Sequence, residues 1–166
     1  MKKFIIIGCP GSGKTTFSLK LSEKTGLPLY HLDAIWHKPD KTHISRDEYD
    51  LRIGEILSTD EYIIDGNYSR TIERRMAECD CVILFDLPTE VCLQGAIDRI
   101  GQQRYDLPWI ESELDPDFRQ QIEAFREKKL PEILALIEKY KDEKSIVVFH
   151  TREQADSFLE HFDCKM

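Results

Sequence analysis

Gly8-Cys9-Pro10-Gly11-Ser12-Gly13-Lys14-Thr15 satisfies the spacing G-x-x-x-x-G-K-[ST], and it lies between an apolar run, Phe4 to Ile7, and an amphipathic stretch that Gly26 and Pro28 bring to an end. Glycines let a backbone wrap around an anion so that several amide N–H groups and a helix N-terminus face it, with a strand delivering the loop and a helix leaving it. Gly8, Gly11, Ser12, Gly13, Lys14, Thr15 and Thr16 are therefore the expected nucleotide-binding residues. Lys14 would bridge the β- and γ-phosphate oxygens of ATP, and Thr15 would offer its hydroxyl to Mg²⁺.

The rest of the chain agrees with that beginning. Further apolar runs of strand length occur at Leu29 to Leu32, Tyr62 to Ile64, Cys81 to Phe85 and Ile146 to Phe149, with longer amphipathic stretches between them. Such alternation predicts parallel strands buried on both faces, the three-layer α/β/α P-loop NTPase architecture with a five-stranded parallel sheet. Helices are expected from the glycine loop to about Lys24, over Arg46 to Leu57 after a Ser45 cap, over Ser69 to Ala77, from Pro88 to about Ile100, and over Arg152 to Phe162. The stretch from Pro116 to Tyr140 has helical period with an interruption near Pro131. Segment 101–116 fits neither pattern and reads as a short lid above the sheet, since loops of that length in a compact domain usually bind or cover something.

At 166 residues the chain has room for one buried core, so residues 1–166 are read as a single domain. The net charge of −8 disfavours nucleic acid and anionic lipid as direct partners; the longest basic patch on offer, Arg70, Arg74 and Arg75, is too short to count as a basic tract. No apolar run approaches membrane-spanning length, and the start of the chain lacks a signal-peptide core, so a cytoplasmic protein is expected. Five cysteines, Cys9, Cys79, Cys81, Cys92 and Cys164, without C-x-x-C pairing, read as small buried thiols.

A glycine loop of this kind serves kinases, GTPases, motors and transporters alike. The sequence contains no N-K-x-D for guanine recognition and no L-S-G-G-Q transporter signature. Tyr62-Ile63-Ile64-Asp65-Gly66-Asn67-Tyr68-Ser69-Arg70 is a strand ending in a carboxylate, a glycine and a cationic helix start. Asp65 is placed to hold a Mg²⁺-bound water, and the Arg70 fork suits an anionic acceptor; a turn former and a solvated charge are the plainer readings. Asp86 also ends an apolar strand and competes with Asp65 for the metal, although Pro88 gives it a structural reason to precede a helix. Thr151 and Arg152, after the fifth strand, are candidate contacts to the nucleotide base. His31, His43, His150 and His161 show no ligand spacing.

Several of these segments resemble adenylate kinases. Asp65-Gly66-x-x-x-Arg70 is similar to their D-G-F-P-R stretch, with one extra residue and no proline. Phe85-Asp86-Leu87-Pro88-Thr89-Glu90-Val91 is similar to their following strand and helix start, and Arg99-Ile100-Gly101-Gln102-Gln103-Arg104 to the arginine pair bounding their lid. Leu32-Asp33-Ala34-Ile35-Trp36-His37, Ile64-Asp65-Gly66-Asn67-Tyr68 and Arg104-Tyr105-Asp106 resemble an adenylate-kinase-like group known as DNA topology modulation proteins, over nearly the whole chain. The resemblance implies that Arg99 packs on the adenine and that Arg104 clamps the transferring phosphoryl group. An Asp after the second strand is instead similar to shikimate and gluconate kinases, where it lies near the acceptor hydroxyl or the metal. That makes Asp33 a candidate general base, or alternatively a helix cap, with Trp36, His37 and Asn67 as further acceptor-side candidates.

Together these expectations describe Mg²⁺-dependent transfer of a phosphoryl group from ATP to a small-molecule or nucleotide acceptor. The alternative is an ATP-binding switch acting on a partner, DNA topology included.

Overall fold

β-Branched and leucine-rich runs long enough to cross a sheet need partners on both faces, and here they find them. In the computed structural model, which describes residues 1–163, the strands are β1 (Lys3–Gly8), β2 (Leu29–His31), β3 (Tyr62–Asp65), β4 (Cys81–Phe85) and β5 (Ser145–Phe149). They form one parallel sheet in the order β2-β3-β1-β4-β5. The central strands β1, β3 and β4 are buried almost throughout, as a doubly covered parallel sheet requires, whereas the edge strands β2 and β5 are only partly buried.

The helices are α1 (Lys14–Thr25), α2 (Leu32–Trp36), α3 (Arg46–Leu57), α4 (Ser69–Glu78), α5 (Thr89–Asp98), α6 (Pro116–Lys128), α7 (Leu130–Tyr140) and α8 (Arg152–His161). Ser45 accepts from the Glu48 amide and caps α3, as expected, and Gly26 closes α1 in the left-handed conformation. Two expectations need correction. Leu32 does not extend β2 but opens the short helix α2, because its side chain is wholly buried while the backbone turns away from the sheet edge. Pro88 caps α5 from an extended conformation instead of occupying its first turn, and α5 ends at Asp98 rather than near Ile100. Arg70, Arg74 and Arg75 form no basic tract, in keeping with their short run: Arg75 is fully buried, Arg70 pairs with Asp50 at 2.5 Å and Arg74 with Glu78 at 3.5 Å.

Cys9, Cys79, Cys81 and Cys92 are buried as free thiols, and Cys164 lies outside the described residues. Among the described residues no helix is long and apolar enough to cross a membrane. The C-terminal ends of β1 and β3 and the start of α2 all emerge on the same side as the glycine loop, where a ligand in an open parallel sheet is expected.

Candidate functional site

The glycine loop is wedged against α5. Gly11 has φ 81°, and a Cβ there would run into the Cys92 carbonyl oxygen; from the other side, a Cβ on Gly95 would run into the Gly11 carbonyl oxygen. Two glycines on different elements thus meet backbone to backbone, an approach no other residue permits. Arg152, at the start of α8, braces the loop by donating to the carbonyl oxygens of Gly11 at 3.0 Å and Ser12 at 3.4 Å. The Ser12 hydroxyl is buried without a hydrogen-bond partner. Lys14 Nζ donates to the carbonyl oxygens of Gly8 and Cys9, both at 3.0 Å. Burial pulls the Lys14 pKa down, with the Asp65 carboxylate acting against it.

Two cavities meet at this loop. One of about 390 Å³ is lined by Gly11, Gly13, Thr16, Gly95 and Arg152 among others, and one of about 1540 Å³ runs past Asp33, Trp36, His37, Asp65 and Asn67 towards α6 and α7. Lys14, Thr15 and Arg99 line both. Arg99 is the junction's unengaged cation: its Nε and one terminal nitrogen are buried without hydrogen-bond partners among the described residues. Burial, then the neighbouring Arg104, lower its pKa.

Thr15 donates its hydroxyl to Asp65 Oδ2 at 3.1 Å, and His31 Nδ1 lies 2.9 Å from the same oxygen. Asp65 is buried at the end of β3, whereas Asp86 is engaged elsewhere, by Arg126 at 2.7 Å and His150 at 3.5 Å. Among the described residues no group of three or more His, Cys, Asp or Glu side chains is arranged around a metal. One hydroxyl and one carboxylate nevertheless suit Mg²⁺, which commonly binds through one or two protein oxygens, several waters and the phosphates of its nucleotide.

The acceptor-side candidates separate. Asp33 sits half-buried on the cavity wall and accepts from the Tyr68 hydroxyl at 2.8 Å. Burial pushes its carboxyl pKa up; the Tyr68 bond works against this, and the carboxylates of Asp106 and Asp65 add to it. Trp36 stacks on His43 at 4.3 Å between ring centroids and meets Tyr68 edge-on, while His37 meets Trp109 edge-on. Asn67 turns back to the loop: its Oδ1 accepts from Gly8 N at 2.9 Å and its Nδ2 donates to Gly8 O at 2.7 Å. Arg70 is exposed, ion-paired to Asp50 and absent from the lining of either cavity. Thr151 caps α8 by accepting from Gln154 N and likewise lines neither cavity.

Arg104 is already held. It makes a bidentate pair with Asp106, at 2.9 and 2.6 Å, and reaches Glu111 at 3.2 Å. Burial alone would lower its pKa, but the Asp106 pair more than offsets that and the net shift is upward; Asp106 correspondingly moves down against its own burial. Segment 99–115 is further tied by Gly101 N donating to Glu111 O at 2.7 Å.

Sequence reading missed His31, Arg75, Gly95 and Asp106. Arg75 donates to the carbonyl oxygens of Gly66, Asn67 and Tyr68 and to the Thr71 hydroxyl, and its burial lowers its pKa to about 10. It thereby holds Tyr68 in a left-handed conformation, φ 40°, that a tyrosine seldom adopts. An arginine seven residues, about two helical turns, after the tyrosine is the sequence signal for this, and it does not distinguish a brace from a surface charge.

No protein-family model matches the chain. The adenylate kinases of Thermotoga neapolitana, Thermotoga petrophila and Thermotoga maritima are each 32% identical to it over 81 residues, 49% of this chain and 36% of theirs. The match thus spans little more than a third of the curated relatives' length. Shikimate kinase from Bacteroides thetaiotaomicron superposes with a TM-score of 0.55 at 16% identity, covering 95% of this chain and 93% of that one. At that identity the likeness establishes the fold, a three-layer P-loop kinase-like α/β architecture.

Proposed function

We propose that residues 1–166 act as one domain that transfers the γ-phosphoryl group of ATP to a hydroxyl of a small acceptor held in the larger cavity. The observation that carries this reading is the junction itself: Lys14, Thr15 and Arg99 line both cavities, so a phosphate seated there touches a donor on one side and an acceptor on the other. The half-length similarity to adenylate kinases supports the same reading.

ATP would lie with its phosphates on the amides of Gly11, Ser12, Gly13, Lys14, Thr15 and Thr16, its base towards the smaller cavity. The Thr15 hydroxyl and, through water, Asp65 would hold Mg²⁺, which would supply charge neutralisation to the donor phosphates. His31 fixes the orientation of Asp65. The acceptor oxygen forms a bond to the γ-phosphorus as the bond from phosphorus to the bridging oxygen breaks, ADP leaves with that electron pair, and the hydroxyl proton passes to Asp33. Arg99, rather than the already paired Arg104, is the guanidinium available to stabilise the transferring group. Segment 101–116 serves as the lid, with Arg104 bracing it.

ADP release should be measured with ATP and Mg²⁺ against nucleoside monophosphates, nucleosides, sugars and hydroxy acids. Stimulation by one class, abolished in Lys14→Ala, is the expected result. Slow release unchanged by every class would favour the nucleotide-dependent switch.

A further inference from the structure

The charges around the larger cavity narrow what the acceptor can be. An anionic acceptor, whether a phosphate monoester or a carboxylate, calls for a guanidinium or ammonium with unspent donors facing it. Lys14 and Arg99 also line the smaller cavity and are committed to the donor phosphates in the proposed reading. Arg104 has both edges filled by Asp106 and Glu111. Arg70 is outside, and Arg75 is spent on backbone carbonyls. On the α6–α7 wall, Lys139 pairs with Glu73 at 2.5 Å and Lys129 donates to Ser69 at 3.2 Å, while Lys128 has no partner among the described residues.

The space beside Asp33 is ringed by carboxylates and aromatic side chains, and the basic side chains within electrostatic reach of Asp33 are His37 and the already assigned Lys14, Arg99 and Arg104. Asp33, Asp65 and Asp106 are close enough for the other two to push the Asp33 pKa up, and a further anion there would meet the same repulsion. Trp36, Tyr68 and Trp109 supply ring surface. Resting on the kinase reading above, we infer that the acceptor is a ring-bearing alcohol without a fixed negative charge, of the nucleoside, sugar or cyclic amino-alcohol class. The cavity discriminates against phosphorylated or carboxylated counterparts because its own carboxylates have already consumed the arginine that would receive them.

The chain contains two tryptophans, Trp36 and Trp109, and both line this cavity, so intrinsic tryptophan fluorescence reports on it directly. The test is a fluorescence titration with inorganic phosphate, with the donor site filled by Mg²⁺ and a non-hydrolysable ATP analogue. Wild-type protein should give no saturable response. Asp106→Asn, which releases Arg104 from its bidentate partner, should bind phosphate about tenfold or more tightly than wild type. Glu111→Gln, at a partly exposed partner, should gain in the same direction and serves if the first variant melts early.

Saturable phosphate binding by wild type would assign an anion subsite, with Lys128 and Lys129 the first suspects, and overturn the inference. So would the failure of both folded variants to gain. In turnover, adenosine compared with AMP and glucose compared with gluconate should favour the uncharged member by about tenfold or more in kcat/KM. A preference for the anionic member sinks this inference and leaves the kinase reading standing; no stimulation by any class sinks both.

Discussion

The proposed donor and acceptor sides of this molecule are built by different means. The glycine loop is shaped by backbone: Gly11 and Gly95 meet without side chains, Arg152 grips carbonyl oxygens, and helix α1 begins where the loop ends. The acceptor wall is shaped by side-chain pairings: Tyr68 on Asp33 and Trp109 on His37 across distant segments, and Arg104 on Asp106 and Glu111 within one loop. A backbone site recognises what every nucleotide shares, its phosphates. A side-chain site can be rewritten one residue at a time, and its specificity therefore resides in pairings rather than in a motif.

The sharpest way to break this contrast is on the donor side. Lys14→Ala should lower kcat on the order of 10³-fold while leaving the melting temperature and the response of Trp36 and Trp109 to acceptor nearly unchanged. Arg75→Met tests the opposite half. It orphans the carbonyl oxygens of Gly66, Asn67 and Tyr68 and should cost about 3 kcal/mol, roughly 6–12 °C in Tm at this chain length. If thermal melting shows no loss, the left-handed turn at Tyr68 needs no brace.

Asp33→Asn sharpens the comparison because stability and activity should move apart. The Asp33 pKa is raised in the folded state, so the folded protein binds the proton more tightly than the unfolded chain does. Its contribution to stability is present below the ordinary carboxylate pKa and is lost as pH rises through the folded value. At neutral pH the native carboxylate is therefore a liability, and Asn should raise Tm by about 2–4 °C, a gain on the order of 1 kcal/mol. Phosphoryl transfer should fall on the order of 10²-fold, and wild type should lose activity on acidification at a pH above the ordinary carboxylate range, a limb absent from the variant. A variant that is both less stable and fully active would reverse the assignment. Gly95→Ala returns to the donor side alone: a Cβ driven into the Gly11 carbonyl forces the loop backbone to shift and should weaken nucleotide binding by about 3 kcal/mol, read by calorimetry, with the acceptor wall unaffected.

The same contrast explains what the sequence alone conveyed. Phosphate-loop spacing, strand runs and the Ser45 cap are local, and each appears in the structure within a residue or two of its expected place. Arg70 and Asn67 were read from proximity along the chain to Asp65, but direction decides: Arg70 points to Asp50 and Asn67 to Gly8. His31 carries no ligand spacing because its partner, Asp65, is 34 residues away and becomes its neighbour only through the pairing of β2 with β3. Gly95 reads as an ordinary helix glycine until the loop is laid against it.

Asn67 has a further consequence. The β1–β3 ladder ends at Ile6 and Asp65, and the backbone of β3 then leaves the sheet, yet the Asn67 carboxamide supplies the next rung by pairing both polar groups of Gly8. Because Tyr68, its neighbour in sequence, holds Asp33, whatever displaces Gly8 tugs the chain at the base of the acceptor wall. In a nuclear magnetic resonance titration with ATP analogue, the Gly8 amide, the Asn67 side-chain NH₂ and the Tyr68 amide should shift along a common saturation curve. Two signals on one side of the chemistry and one on the other would then time the arrival of nucleotide at both.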